Sequence, residues 1–209
     1  MGYLRCVSRR RAMRNRSVLV VLLSLLIHTT TFATPGLVVV DAGHGGHDHG
    51  GAPYQRIPEK GYTLDTARRL ARNLRRLGIR VVMTRDDDSF VSLSERTYIS
   101  NRYSPGDAIF VSIHYNSGWR EGAYGIETYY HSRRGYRLAA LVHPRVIEAM
   151  NSANRGIRWR GYWVLRRNRL PAILVECGFL TNRAEAARIE DPGYRERTAR
   201  AIAGAIMRY

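Results

Sequence analysis

The sequence predicts an α/β fold, a three-layer sandwich with a mostly parallel twisted sheet flanked by helices. Three observations point there. Short runs of β-branched residues alternate with segments of helical period. Several of those runs are apolar throughout, as strands buried on both faces must be. Strand after strand also ends on a polar group, the pattern of a sheet whose crevice lies beyond its carboxyl ends.

The elements follow in order. Residues 36–41, G-L-V-V-V-D, read as the first buried strand. Over residues 59–77, Leu64, Ala67, Leu70, Ala71, Leu74 and Leu77 recur at helical spacing. Arg68, Arg69, Arg72, Arg75 and Arg76 cover the opposite side, and Gly78 stands where a helix C′ glycine belongs. Residues 79–84 form the next strand, completing a strand–helix–strand unit. A loop with Asp86, Asp87 and Asp88 leads to a helix over residues 93–103. Residues 108–114, A-I-F-V-S-I-H, are a buried strand ending on a histidine. Residues 126–131 are strand-like, and 136–151 are helical with Pro144 as a point of kink or break. Residues 162–166 and 172–176 read as strands, and one or two helices between residues 182 and 207 close the chain.

Residues 1–33 read as a secretory signal peptide. Six arginines precede the apolar run V-L-V-V-L-L-S-L-L-I, and T-F-A ends the segment. An uncleaved N-terminal anchor is the alternative, and S-R-R-R-A-M weakly resembles a twin-arginine export motif. Residues 34–209 then make a single domain of about 175 residues, enough for a real core. The formal net charge is +17, and without the six leader arginines the domain keeps +11. Lys60 is the only lysine. Such a surface favours an anionic partner, and export makes an anionic envelope polymer or lipid a better candidate than nucleic acid. Of the two cysteines, Cys6 belongs to the leader, so Cys177 has no intramolecular disulfide partner. It reads as a small core residue.

The stretch D-A-G-H-G-G-H-D-H-G-G, residues 41–51, packs three histidines and two aspartates among five glycines. Asp41 with His44, then His114, then Glu176 lie at strand ends, and Glu59 opens the first helix close in chain to the first loop. Two imidazoles and a carboxylate are the ligand set of many catalytic zinc sites. A further carboxylate such as Glu176 can then move a proton between water and a leaving amine. Spacing alone leaves each strand-end histidine open to a structural, hydrogen-bonded role.

Ordered blocks narrow this. V-V-D-A-G-H-G-G, a helix-opening E-K, T-R, V-S-I-H-Y-N-S, G-I-E-T-Y-Y, N-R-G, V-L-R and P-A-I-L-V-E-C-G-F-L-T-N follow one another from about residue 38 to the last helix. In these blocks the chain resembles the zinc-dependent N-acetylmuramoyl-L-alanine amidases of the amidase type 3 family, which cut bacterial peptidoglycan. The resemblance implies that His44, Glu59 and His114 bind Zn²⁺ and that Glu176 is the catalytic base and acid. It places Asp41 and Asn116 beside the ligands as supporting groups, and Glu127, Arg85 and Arg96 in structural or substrate-contacting positions. Peptidoglycan is the implied substrate, in the periplasm or cell envelope, for a monomer with no stable membrane insertion once the leader is gone. Another envelope zinc hydrolase, a peptidase or deacetylase, and an inactive wall-binding homologue are the competing readings.

Two departures stand out. Tyr115 replaces a smaller residue between His114 and Asn116, which suggests a ring that narrows the cleft or stacks on substrate. Regulated relatives carry a plugging helix after the third ligand, whereas a short loop separates His114 from Ile126 here. That suggests an enzyme open without an activator. His47 and His49 fall at variable positions of the family pattern and are expected on the exposed part of the loop.

Overall fold

A computed structural model describes residues 1–2, 34–51, 58–118 and 122–209. The leader, with Cys6 and the export motif, lies outside the described residues apart from its first two.

Among the described residues, six strands form one sheet in the order β2-β1-β3-β6-β4-β5. β1 is Leu37–Ala42, β2 Arg80–Met83, β3 Ala108–Asn116, β4 Ile126–Tyr130, β5 Asn154–Trp159 and β6 Ala172–Phe179. Neighbours pair in parallel except β4 with β6, which run antiparallel. The mostly parallel sheet flanked by helices is therefore the predicted architecture. β1 is buried at every position because β2 and β3 pair with both its edges and helices cover both its faces.

The larger core lies on one face, under α1 (Glu59–Arg76), α3 (Arg133–Met150) and α6 (Pro192–Ile206). It takes Val38, Val40, Ile109, Val111, Ile113, Ile173, Val175 and Cys177 from the strands. The alternate residues Leu37, Val39, Phe110, Tyr129 and Leu174 face a smaller core. That core is closed by α2 (Leu93–Asn101) and α4 (Trp163–Arg166), which pack on each other. The period-two alternation of each strand thus divides its residues between the cores. α5 (Arg183–Glu190) packs on β6 and α6. No described helix is long and apolar enough to cross a membrane.

Three expectations need correction. Residues 162–166 are not a strand, because Val164 and Leu165 are both buried in the smaller core. Adjacent strand residues point to opposite faces, whereas one helical turn sends both inward. The sheet edge is formed instead by β5, whose N-R-G-I-R-W lacks apolar alternation because none of it is fully buried and half of it is exposed. Helix α3 runs through Pro144 without a break. β3 and β6 also continue past His114 and Glu176, so these residues project from within strands rather than from their last positions.

Candidate metal centre

The loop after β1 begins with a sharp reversal. His44 has φ 61, a left-handed conformation that an L side chain adopts at a cost of order 1–2 kcal/mol. It is held by Arg96, whose Nη2 donates to the His44 carbonyl at 2.7 Å, and by paired backbone hydrogen bonds between Gly45 and Asp48. Glu59 is the first residue of α1, placed there by its N–H to Gly51 O at 2.9 Å. His114 projects from β3 on the smaller-core side, the face that also presents Glu176 from β6.

One donor atom from each of His44, Glu59 and His114 falls within 4.8 Å of the others. Glu59 lies between the rings, its Oε2 3.2 Å from His44 Nε2 and its Oε1 3.1 Å from His114 Nδ1. The backbone N–H groups of Gly51 and Tyr115 donate to the same carboxylate at 2.9 and 3.0 Å. Burial alone would raise the Glu59 carboxyl, but the two imidazoles outweigh it and hold it well below the usual carboxylate range. Burial would likewise lower His44, and the Glu59 and Asp48 carboxylates reverse that and raise it. The close approach demands glycine at two positions. A Cβ on Gly43 would stand 2.3 Å from the His114 ring, and one on Gly50 would stand 2.6 Å from Glu59 Oε2.

Glu176 is the register partner of His114 on one side and Glu127 on the other. Its Oε2 is shielded from solvent and has no hydrogen-bond partner among the described residues. Burial, then the Glu59 and Glu127 charges, push its carboxyl well above the usual range. His44, Glu59, His114 and Glu176 share a cavity of about 330 Å³ with Asp48, Asn116, Phe90, Leu93, Tyr162 and Trp163.

The expected supporting residues sit one step further out. Among the described residues, Asp41 makes no hydrogen bond to the side chains of His44, Glu59 or His114. It accepts from Arg96 Nη1 at 2.7 Å and from Thr84 and Ser112 hydroxyls at 2.6 Å each, and so reaches His44 only through Arg96. Burial would raise its carboxyl, but the Arg96 guanidinium and the two hydroxyls hold it low. Asn116 Nδ2 donates to Glu127 at 2.9 Å rather than to His44, Glu59 or His114. Glu127 also accepts from Tyr129 and from Arg155 Nε at 2.8 Å. Arg85 is buried and donates to the Ala42, Gly43, Lys60 and Asp87 carbonyls, clamping the loop to α1.

Sequence reasoning gave no role to Asp48, which lies 2.9 Å from His44 Nδ1 and fixes the ring so that Nε2 faces the cluster. The four-residue spacing from His44 to Asp48 was the available signal. Tyr115 corrects a further expectation. It faces away from the cleft, buried in the larger core with its hydroxyl 2.7 Å from Thr66 Oγ1, because it alternates with His114 along β3. His47 and His49 are exposed, and His47 lies against Phe90 with ring centroids 4.1 Å apart.

Comparison with known proteins places this geometry. The family model described as N-acetylmuramoyl-L-alanine amidase matches residues 38–208. The chain is 34% identical over 175 residues to the probable cell wall amidase LytH of Staphylococcus epidermidis, across 82% of this chain and 57% of that relative. It therefore spans little more than half the length of that protein. Among solved structures, AmiC2 of Nostoc punctiforme superposes with a TM-score of 0.78 at 39% identity, covering 83% of this chain and 96% of that one. The catalytic domain of CwlV from Bacillus (Paenibacillus) polymyxa var. colistinus gives 0.77 at 35% identity, over 81% and 95%. With a family match over most of its length, this chain belongs to the N-acetylmuramoyl-L-alanine amidase family.

Proposed function

We propose that the chain is a zinc-dependent amidase that hydrolyses the bond between the lactyl group of N-acetylmuramic acid and the L-alanine of the peptidoglycan stem peptide. The observation that supports this most is the convergence of the His44, Glu59 and His114 donor atoms beside a carboxyl oxygen of Glu176 that has no partner.

The residues present fit zinc. Two imidazoles and one carboxylate are a catalytic zinc set that leaves a position open, and Gly43 and Gly50 keep the space among them free of side chains. Bound there, zinc supplies Lewis acidity that makes water nucleophilic near neutral pH and polarises the scissile carbonyl. Glu176 takes a proton from the attacking water at Oε2 and returns it to the departing L-alanine nitrogen. Burial raises its carboxyl, which favours the protonated form reached after the first transfer, from which it gives the proton up again. Asp48 orients the His44 ring, and Asp41 acts on the same loop through Arg96.

Residues 117–125 connect β3 and β4, too short a stretch for a plugging helix, so we read the enzyme as active without an activator. The leader directs it to the periplasm or cell envelope. There the net positive charge of the domain adds anionic envelope polymer as a second partner, and the enzyme works as a monomer.

Product analysis tests the reading. Mass spectrometry of muropeptides digested by the zinc-loaded chain should show glycan with free lactyl carboxyl groups and stem peptides with new L-alanine amino termini. Cleavage within the stem peptide, or loss of acetyl groups, would assign a different zinc hydrolase. Binding to sacculi without release would assign a wall-binding role.

A further inference from the structure

The cavity around Glu176 has two unlike walls. Phe90, Val91 and Leu93 form one, and Tyr162 and Trp163 form the other. The second wall has a rigid mount. Val164 and Leu165, the next two residues, are buried in the smaller core, and the Tyr162 ring meets buried Tyr129 edge-on at 5.1 Å. Yet Tyr162 is 42% and Trp163 36% exposed. Large rings anchored from below and left open towards a polar centre mark a binding surface rather than a folding need. The guanidinium carbons of Arg166 and Arg167 lie over the Trp163 ring, 5.2 and 5.1 Å from its centroid, which brings N–H donors beside the aromatic pair. Exposed aromatic rings with donors close by suit a pyranose, which has a C–H face and a rim of oxygens.

In the proposed reaction the scissile amide is joined to its sugar through a single lactyl group. With the carbonyl at the metal cluster, the pyranose therefore lies close to the same cavity. We infer that Tyr162 and Trp163 are the wall it meets. The N-acetylmuramic acid ring packs its C–H face against the Tyr162 and Trp163 pair, Arg166 and Arg167 donate to its oxygens, and the stem peptide leaves along Phe90 and Leu93. This assignment rests on the amidase reading above and makes Trp163 a specificity-determining residue rather than a catalytic one.

The test compares the full-length zinc-loaded protein with its Trp163→Ala and Trp163→Phe variants. Each is assayed on N-acetylmuramoyl-L-alanyl-D-isoglutamine and on the sugar-free N-lactyl-L-alanyl-D-isoglutamine. Calorimetry in parallel follows binding of the peptide-free disaccharide N-acetylglucosaminyl-N-acetylmuramic acid. For Trp163→Ala, the preference in kcat/KM for the sugar-bearing substrate should shrink about tenfold, chiefly through KM. Disaccharide affinity should fall in step, and Trp163→Phe should recover most of both. An unchanged preference, an equal loss on both substrates, or undiminished disaccharide binding by Trp163→Ala would overturn the assignment. If the unsubstituted protein cleaves neither substrate, the amidase reading fails, while the disaccharide titration still decides the wall.

Discussion

Glu176 and Glu127 are direct register partners on β6 and β4, and they share the donors of the site unequally. Glu127 accepts from Asn116, Tyr129 and Arg155, whereas Glu176 Oε2 accepts from nothing among the described residues. Like charges placed opposite each other on neighbouring strands repel. Here the donors lower the Glu127 carboxyl despite its burial, while burial and the Glu59 and Glu127 charges raise that of Glu176. The unequal division suits the proton-transfer role proposed for Glu176.

Replacing Glu176 by Gln removes the titrating group and keeps its shape. Hydrolysis should fall by about 10²–10⁴-fold, with zinc content unchanged. The melting temperature should hold or rise, because a buried carboxyl without a partner is relieved. Wild-type rates in a zinc-replete Glu176→Gln protein would remove Glu176 from the mechanism.

The Asp41–Arg96 pair is buried on both sides, 3% and 1% exposed at Arg96 and Asp41. Asp41→Asn leaves the guanidinium without its counter-charge and should cost about 3–5 kcal/mol in urea unfolding. The pH dependence has a definite sign. Asp41 is depressed below its ordinary 3.8 in the fold, so as acid is added the unfolded chain takes up the proton first. The stabilisation is complete above that value and is lost as pH falls through the lowered folded one. Asp41→Asn should therefore flatten the acid limb of the stability curve, and an unaltered limb would place acid sensitivity elsewhere.

Gly43→Ala drives a methyl into the His114 ring. Zinc affinity measured by competition with a chelating dye should drop at least about tenfold, with the circular dichroism spectrum retained. Native affinity would mean that His114 is free to move without loss.

Tyr115→Phe removes only the hydroxyl that meets Thr66. Stability should fall by about 1 kcal/mol while KM stays the same, since the ring lies in the larger core. A KM raised severalfold would return Tyr115 to the cleft.

The sequence made the sheet and the convergence of His44, Glu59 and His114 legible where burial is two-sided and chemistry is local. β1, β3 and β6 are runs of apolar residues, and His44, His114 and Glu176 stand near their carboxyl ends. The edge of the sheet was harder to read. β5 is half-exposed and lacks alternation, and the four residues of α4 are too few to show a period. Tyr115 was misjudged because adjacency to His114 in sequence suggested adjacency in the cleft, when strand geometry sends neighbours to opposite faces. Asp41 looked like a group next to the ligands for a similar reason. Its effect instead passes through Arg96, 55 residues away in the chain, a contact that no local pattern announces.

The central claim is that His44, Glu59 and His114 hold the metal that this chain uses to cut the muramoyl–alanine amide. The direct test follows new L-alanine amino termini released from purified sacculi by the full-length protein as isolated, after exhaustive chelation, and after zinc is restored. The account predicts release, abolition and recovery, with one zinc bound per chain on recovery and none retained by a His44→Ala, His114→Ala double variant. Undiminished release of L-alanine termini from the chelated protein would contradict it.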